Sequence, residues 1–269
     1  MARKMKRHLL YISIILFISC GKQEELPIVD VYGHAGTSLH KERSIYPSNS
    51  FESVEYAIDI LDADGVEIDV QMTKDSVLVL YHDIFLEESS GFSGCISMYN
   101  YNEIKELELE NSKYKLVKLK DILVFTESRN RRVYLDIKDY DYCNGTHISE
   151  SSFQYALNQS LSGVSESYKT KVILGMLNIS LLNSIEYSFK CYENSNVVSV
   201  IETAKSNNIQ SVLFHKDLIG DSESELLTES GLYWGVFGIK DKWSIETVVS
   251  FRPNFVITDN ITFTKQVSN

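Results

Sequence analysis

Apolar, β-branched runs alternate with amphipathic segments along most of the chain. This alternation predicts parallel strands joined by crossover helices. The predicted strands are residues 28–32, 66–70, 132–137, 171–174, 187–191, 211–214, 233–237 and 255–258. The fifth has the weakest pattern, because Lys190 interrupts its apolar run.

Amphipathic helices are predicted between these strands. The clearest are residues 51–61, 119–127, 152–161, 197–206 and 244–251. In the first, Phe51, Val54, Ile58 and Leu61 recur at the helical period and form one apolar stripe. Ser50 is positioned to cap its start.

Eight strand–helix alternations in 269 residues predict a single TIM-type (β/α)₈ barrel, over residues 28–269. An open doubly wound sheet also alternates, but no glycine-rich dinucleotide loop follows the first predicted strand. Residues 83–117 contain no clear strand pattern, and we expect a loop and a short helix over the barrel mouth.

The N-terminal segment has the pattern of an export signal. Arg3, Lys4, Lys6 and Arg7 precede an apolar stretch, residues 9–19, that is too short to span a membrane. The stretch ends at Ser19 and Cys20, and this junction resembles a bacterial lipoprotein cleavage box. We predict a signal peptide (1–19), a lipidated Cys20 with a tether (20–27), and an exported, membrane-anchored protein. A plain signal peptide and a buried cysteine are the alternatives.

Composition narrows the function classes. With 43% hydrophobic residues the chain can build a full core, and its net charge of −11 disfavours a nucleic-acid partner. The other cysteines, Cys95, Cys143 and Cys191, are too few for a disulfide framework. We predict isolated thiols, with at most one disulfide pair that the sequence does not assign.

Two carboxylates lie on one face of the second predicted strand. Successive strand side chains alternate faces, so Glu67 and Asp69 project to the same side and the intervening apolar residues face the helices. Neighbouring carboxylates inside a barrel repel each other unless a cation lies between them, and a hard divalent cation suits oxygen ligands. The alternative is an exposed face with ordinary charges.

The third predicted strand places Asp136 and Lys138 on one face by the same alternation. Asp136 can complete an all-oxygen metal site, and Lys138 can contact a phosphate. The competing interpretation is a structural ion pair between the two residues.

Two histidines are predicted to reach the same rim. His34 follows the first strand between Gly33 and Gly36, which let the backbone turn and approach a ligand closely. The apolar run 77–80 ends just before His82. A histidine after a strand is often incidental, so position alone does not establish a catalytic role for either.

Several of these motifs together resemble the glycerophosphodiester phosphodiesterase family. Residues 31–36, 46–50, 65–75, 78–83, 119–123 and 135–138 follow that family's order and approximate spacing, and residues 255–260 resemble its last strand and turn. The densest part, residues 65–83 (GVEIDVQMTKDSVLVLYHD), is highly specific. The resemblance implies a TIM barrel that hydrolyses diesters of glycerol phosphate with a divalent metal.

The resemblance also implies roles for individual residues. His34 and His82 match the family's acid–base pair, while Glu67 and Asp69 match two of its metal ligands. The third acidic ligand, usually Glu, is Asp136 here.

The resemblance assigns Lys138 to phosphate binding, and two positions depart from the family pattern. Ala35 replaces a phosphate-contacting arginine, and Ser48 replaces a glutamate. Loss of a guanidinium that makes two parallel hydrogen bonds to phosphate weakens phosphate binding. Lys41 and Arg43, in the following loop, are candidates to supply positive charge.

We therefore predict a phosphodiesterase that uses Ca²⁺ or Mg²⁺ and two histidines to hydrolyse a small glycerophosphodiester. A related barrel enzyme acting on intact phospholipids or sphingolipids, and an inactive ligand-binding lipoprotein, stay open as alternatives. His215, Trp234 and Phe237 lie on or after the sixth and seventh predicted strands, and we predict structural roles for them.

Overall fold

Eight parallel strands close into a barrel in the computed structural model, which describes residues 28–40, 44–86 and 92–268. The strands are β1 (Asp30–Gly33), β2 (Gly65–Met72), β3 (Arg132–Ile137), β4 (Val172–Met176), β5 (Lys190–Glu193), β6 (Ser211–His215), β7 (Tyr233–Ile239) and β8 (Phe255–Thr258). Strand β1 pairs with both β8 and β2, which closes the ring. The predicted TIM-type barrel is confirmed.

Helices follow the strands on the outside of the ring. They are Phe51–Glu55, Leu119–Ser128, Glu150–Leu161, Glu166–Lys169, Ile179–Ser184, Val197–Ser206, Asp221–Ser230, Lys242–Ser250 and Ile261–Ser268. The first is capped by Ser50, whose hydroxyl accepts a 3.0 Å bond from the Ser53 amide, and it continues as a π-helix, Tyr56–Ile60. No helix among the described ranges has the length and apolar character needed to cross a bilayer.

The prediction of the fifth strand was wrong in its bounds. Strand β5 runs from Lys190 to Glu193, whereas the apolar pattern placed it at residues 187–191. The Tyr187 hydroxyl instead donates to the Lys169 and Val172 carbonyls, which holds that residue beside the strand preceding β5. The shift carries Glu193 to the carboxyl end of the barrel.

Apolar side chains pack on both faces of the barrel wall. Residues such as Val66, Ile68 and Trp234 belong to a layer between strands and helices. The barrel interior holds a second layer: Tyr32, Tyr134, Ile173, Cys191, Leu213, Phe255 and Ile257. The rings of Tyr32 and Tyr233 stack on Phe255 with centroids 5.0 and 5.3 Å away. This aromatic layer fills the barrel beneath the mouth.

A long connecting segment, residues 73–131, separates β2 from β3, and we call it the excursion. It begins with a short strand, Leu78–Leu80, antiparallel to β2, and contains the helical turns Ile96–Met98, Tyr101–Ile104 and Leu109–Asn111. Its apolar residues form a small core of their own. A disulfide between Cys95 and Cys143 ties it to the hairpin formed by Tyr140–Asp141 and Thr146–His147. The third cysteine, Cys191, is a buried free thiol.

Candidate active site

A cavity of about 330 Å³ opens at the carboxyl ends of the barrel strands. We call it the central cavity. All six residues that the sequence predicts for the barrel site line it: His34, Glu67, Asp69, His82, Asp136 and Lys138. This is the end of a (β/α)₈ barrel where reactive groups are expected.

Three carboxylates converge on one side of the central cavity. Oxygen atoms of Glu67, Asp69 and Asp136 all lie within 4.8 Å of one another. The register of β2 on β3 pairs Asp69 with Asp136, which brings the acids together. Burial and the neighbouring Asp69 charge raise the pKa of Glu67 to about 8, and burial raises the pKa of Asp136. The raised pKa values show that the neighbouring positive charge is too small to keep all three carboxylates ionised.

Lys138 supplies part of the missing charge. Its ammonium lies 2.7 Å from Asp69 and 2.5 Å from Asp136. Burial opposes ionisation of Asp69, but the Lys138 charge outweighs it and keeps the pKa of Asp69 below its ordinary value. The ion pair considered at Asp136 is thus present, and it includes Asp69. One ammonium cannot balance three carboxylates.

The donor set fits a hard divalent cation. Such ions take carboxylate oxygens at short range, and three carboxylates from two adjacent strands offer this without backbone change. Asn49, which the sequence analysis gave no role, holds Asp69 from both ends. Its amide donates to Asp69 Oδ2 at 2.8 Å, and its Oδ1 accepts from the Asp69 backbone at 2.9 Å.

His34 is held by a carboxylate that follows the last strand. Its Nδ1 lies 2.9 Å from Asp259 Oδ1, and its Nε2 lies 3.9 Å from Glu67. Burial lowers the pKa of His34, but the Asp259 hydrogen bond and the surrounding carboxylates outweigh it and raise the pKa to about 9. Asp259 also accepts from the Ser38 hydroxyl and the Leu39 amide. Asp259 belongs to the turn that resembles the family, residues 255–260, but no role was predicted for it.

The turn after β1 brings backbone as well as His34 to the acids. The Ala35 amide donates to Glu67 Oε2 at 2.9 Å. A side chain at Gly33 would place its Cβ 1.8 Å from the Gly36 carbonyl oxygen, so the turn requires glycine there. Ala35 itself is buried and offers no charge. Lys41 and Arg43, the candidates to replace the absent arginine, lie outside the described residues.

His82 lines the central cavity from the segment that follows the short strand Leu78–Leu80. Its Nδ1 lies 2.9 Å from Asp83, and that hydrogen bond raises the pKa of His82. At the second departure from the family pattern, the Ser48 hydroxyl donates to Glu110 Oε1 at 3.1 Å. A carboxylate therefore still lies beside position 48, contributed by the excursion after β2.

Further polar residues line the central cavity, and no active-site role was predicted for them. Glu193 accepts a 2.5 Å bond from the Tyr134 hydroxyl, and burial together with the charge of Asp136 raises the pKa of Glu193 to about 8. His215 and Lys240 also line the cavity, together with Phe237, which additionally packs on the interior aromatic layer. Glu193 was missed because β5 was predicted to end two residues earlier.

Comparison with known proteins identifies the family. A model of the glycerophosphoryl diester phosphodiesterase family matches residues 42–262, which is most of the chain. A glycerophosphodiester phosphodiesterase of Bacillus altitudinis is 37% identical over 70 residues, or 26% of this chain. That aligned segment spans 28% of the length of the relative.

Solved structures share the fold over nearly the whole chain. An Oleispira antarctica phosphodiesterase, in complex with the product sn-glycerol-3-phosphate, superposes with a TM-score of 0.74 at 17% identity, covering 89% of this chain and 96% of that one. A Parabacteroides distasonis glycerophosphodiester phosphodiesterase gives 0.71 at 21% identity, covering 91% and 98%. At these identities the likeness establishes the barrel fold.

Proposed function

Because this chain belongs to the glycerophosphoryl diester phosphodiesterase family, we propose that it hydrolyses glycerophosphodiesters to glycerol phosphate and an alcohol. The observation that carries the proposal is the convergence of three carboxylates, two histidines and one lysine in the central cavity. The Oleispira antarctica relative, crystallised with sn-glycerol-3-phosphate, supports the substrate class.

Each side chain has a task that its position suits. His34 and His82 both line the cavity that contains the acid cluster, and in the proposed mechanism one takes a proton from the attacking oxygen while the other protonates the leaving alkoxide. Asp259 keeps His34 in one orientation. Lys138, at the border of the acids, turns toward a phosphate oxygen when a substrate is present.

Glu67, Asp69 and Asp136 would hold a divalent cation, Ca²⁺ or Mg²⁺. When bound, that ion supplies Lewis-acid stabilisation of the negative charge on the phosphoryl group. Asn49 restrains Asp69, and the Ala35 amide restrains Glu67, so the two buried ligands are oriented before an ion arrives.

The experiment is an assay of residues 28–269 on glycerophosphodiesters, with and without a chelator. We expect turnover that is lost on chelation and restored by Ca²⁺ or Mg²⁺. His34→Ala and His82→Ala should each lower kcat by about 10²–10⁴-fold. Turnover that survives both chelation and His34→Ala refutes the mechanism. Turnover of intact phospholipid or sphingomyelin, or metal binding without any turnover, selects one of the alternatives.

We also propose that the protein is exported and anchored through a lipidated Cys20. The basic, then apolar, N-terminal pattern supports this, although residues 1–27 lie outside the described structure. The Cys95–Cys143 disulfide adds support, because structural disulfides persist mainly in oxidising compartments. Cys20→Ser should release the protein from the membrane fraction, and an unchanged membrane fraction refutes lipid anchoring.

A further inference from the structure

A second cavity, of about 300 Å³, lies directly beside the central cavity. We call it the outer cavity. Its walls come from the end of β2, the start of the excursion and the Tyr140–His147 hairpin. The two cavities share two lining residues, His82 and Lys138. A phosphate held at these shared residues has one cavity on each side.

A phosphodiester carries two ester arms, so the two cavities can take one arm each. Besides the acid cluster, the central cavity is lined by other hydrogen-bonding groups, Glu193, His215 and Lys240. Hydroxyl groups of a glycerol arm suit such a surface. The outer cavity is then left for the alcohol that departs.

The outer cavity has the character of a site for a cation that has no hydrogen to donate. The rings of Tyr140 and Tyr142 meet edge to face, with centroids 4.9 Å apart, and are 38% and 57% exposed. Asp141, between them in sequence, also lines the cavity. Burial opposes its ionisation, but hydrogen bonding from the Ser97 side chain of the excursion and from Asn144 and Cys143 of its own loop outweighs this and lowers the pKa of Asp141. Aromatic faces beside a carboxylate attract a diffuse positive charge.

Two polar side chains of this cavity, Asp141 and Gln71, already make hydrogen bonds within the protein. Asp141 accepts from the Cys143 and Asn144 amides and from the Asn144 side chain. The Gln71 amide donates to the Tyr81 and Asp83 carbonyls. A quaternary ammonium, which needs only charge and contact, loses nothing.

The hairpin is held in place before any ligand arrives. The Cys95–Cys143 disulfide joins its turn to the excursion, and Cys95 itself lines the outer cavity. The His147 ring meets the Tyr140 ring edge to face at 5.0 Å, and the His147 Nδ1 lies 3.1 Å from Asp139. The aromatic pair is thus preorganised, which reduces the entropy lost on binding.

We propose that the outer cavity is the leaving-group subsite for an alcohol bearing a quaternary ammonium group, recognised by Tyr140, Tyr142 and Asp141. This inference rests on the proposed phosphodiesterase function and specifies its substrate class. The central cavity keeps the glycerol phosphate arm, and the departing cationic alcohol leaves through the outer cavity.

The test compares two diesters of the same shape and different charge. One is glycerophosphocholine, and the other is its 3,3-dimethylbutyl analogue, in which carbon replaces the ammonium nitrogen. We expect kcat/KM to be about tenfold higher for the cationic diester, with the difference in KM. If the ratio of kcat/KM for the cationic diester to kcat/KM for the neutral diester is near one in the wild-type enzyme, the proposal is overturned.

Single-residue variants test which side chains distinguish the cationic diester from the neutral one. Tyr142→Leu should lower the ratio about fivefold, while Tyr142→Phe, which keeps the aromatic face, should preserve it. Asp141→Asn removes the charge but retains an acceptor for the loop amides, and should also lower the ratio. Tyr155→Leu, at a tyrosine that is 58% exposed on another surface, is the matched control and should leave the ratio unchanged. An unchanged ratio in folded Tyr142→Leu and Asp141→Asn overturns the proposal.

A binding measurement separates this inference from the proposed function. Phosphocholine and 3,3-dimethylbutyl phosphate are titrated into the metal-loaded chain by calorimetry. If no diester is turned over, a tenfold tighter Kd for phosphocholine still supports the subsite while the hydrolytic function fails. Equal Kd values overturn the subsite, whatever the turnover.

Discussion

His34 depends on Asp259 for both its orientation and its charge. The Nδ1–Oδ1 contact of 2.9 Å fixes the ring, so that Nε2 faces the acid cluster. We expect Asp259→Asn to lower kcat by about 10²-fold or more, because an amide no longer favours the required tautomer and imidazolium. The measurement is steady-state turnover of glycerophosphocholine, with Asp59→Asn, at a surface ion pair with Arg129, as control. A kcat within twofold of wild type contradicts this role for Asp259.

The contact between His34 and Asp259 also predicts that the stability lost in Asp259→Asn depends on pH. The pKa of His34 is raised from 6.5 to about 9, so the native state binds a proton that the unfolded chain releases between these values. This contribution is complete below pH 6.5 and is lost as the pH rises through 9. Asp259→Asn should therefore destabilise the fold more at pH 6 than at pH 9.5, as measured by urea unfolding. Equal destabilisation at both pH values contradicts the assignment.

Glu67, a metal ligand in the proposed function, lowers the stability of the metal-free fold at alkaline pH. Its pKa is raised from 4.5 to about 8 in the metal-free protein, so the native state retains a proton that the unfolded chain loses, and the unfolding free energy falls as the pH rises through this interval. At pH 8, in chelator, Glu67→Gln should stabilise the fold by about 1–4 kcal/mol. Thermal unfolding measures this change, and a lower Tm for the variant contradicts it.

Sequence patterns identified residues whose own strand explains their position. Strand alternation placed Glu67 and Asp69 on one face, and the structure has both in the central cavity. Residues whose position depends on another segment gave no such signal. Asp259 meets His34 across 225 positions, and Asn49 meets Asp69 across 20, so neither contact follows from local periodicity.

At the scale of elements, the barrel strands were predictable because their apolar runs are buried on both faces. The prediction failed at β5, where Lys190 begins the strand and the apolar residue Tyr187 packs outside it. It also missed the hairpin of Tyr140–Asp141 and Thr146–His147, because two-residue strands carry no detectable alternation. The outer cavity depends on that hairpin, so its existence was not visible in the sequence.

The disulfide joins two elements that are distant in sequence, the excursion and the hairpin. Cys95 and Cys143 are 48 positions apart, and closing a loop of that length stabilises a fold by up to about 4 kcal/mol in the chain-entropy model. We expect the double variant Cys95→Ser, Cys143→Ser to lose stability of this order in urea unfolding. Reductant should destabilise the wild-type protein and leave the double variant unaffected. A wild-type protein insensitive to reductant after unfolding and refolding contradicts the prediction.

At the scale of the whole molecule, the acid cluster lies at the closure of the barrel. Its carboxylates are on β2 and β3, and β1, which His34 follows, joins β2 to the last strand. Unfolding separates these carboxylates, which are up to 69 positions apart in sequence. Under the proposed function, metal binding would therefore be coupled to folding of the barrel and not to one loop.

This coupling predicts a metal-dependent shift in global stability. Free Ca²⁺ or Mg²⁺ at one hundred times its Kd should raise the unfolding free energy by about 2.7 kcal/mol, through preferential binding to the native state. For a domain of this size that corresponds to roughly 5–10 °C in Tm. Scanning calorimetry of chelated and metal-loaded protein measures the shift in Tm. The Glu67→Gln variant lacks one carboxylate charge, so its Tm should change little when the metal is added. A Tm that neither ion moves, in protein that hydrolyses glycerophosphodiesters, would mean that the three carboxylates do not hold the metal.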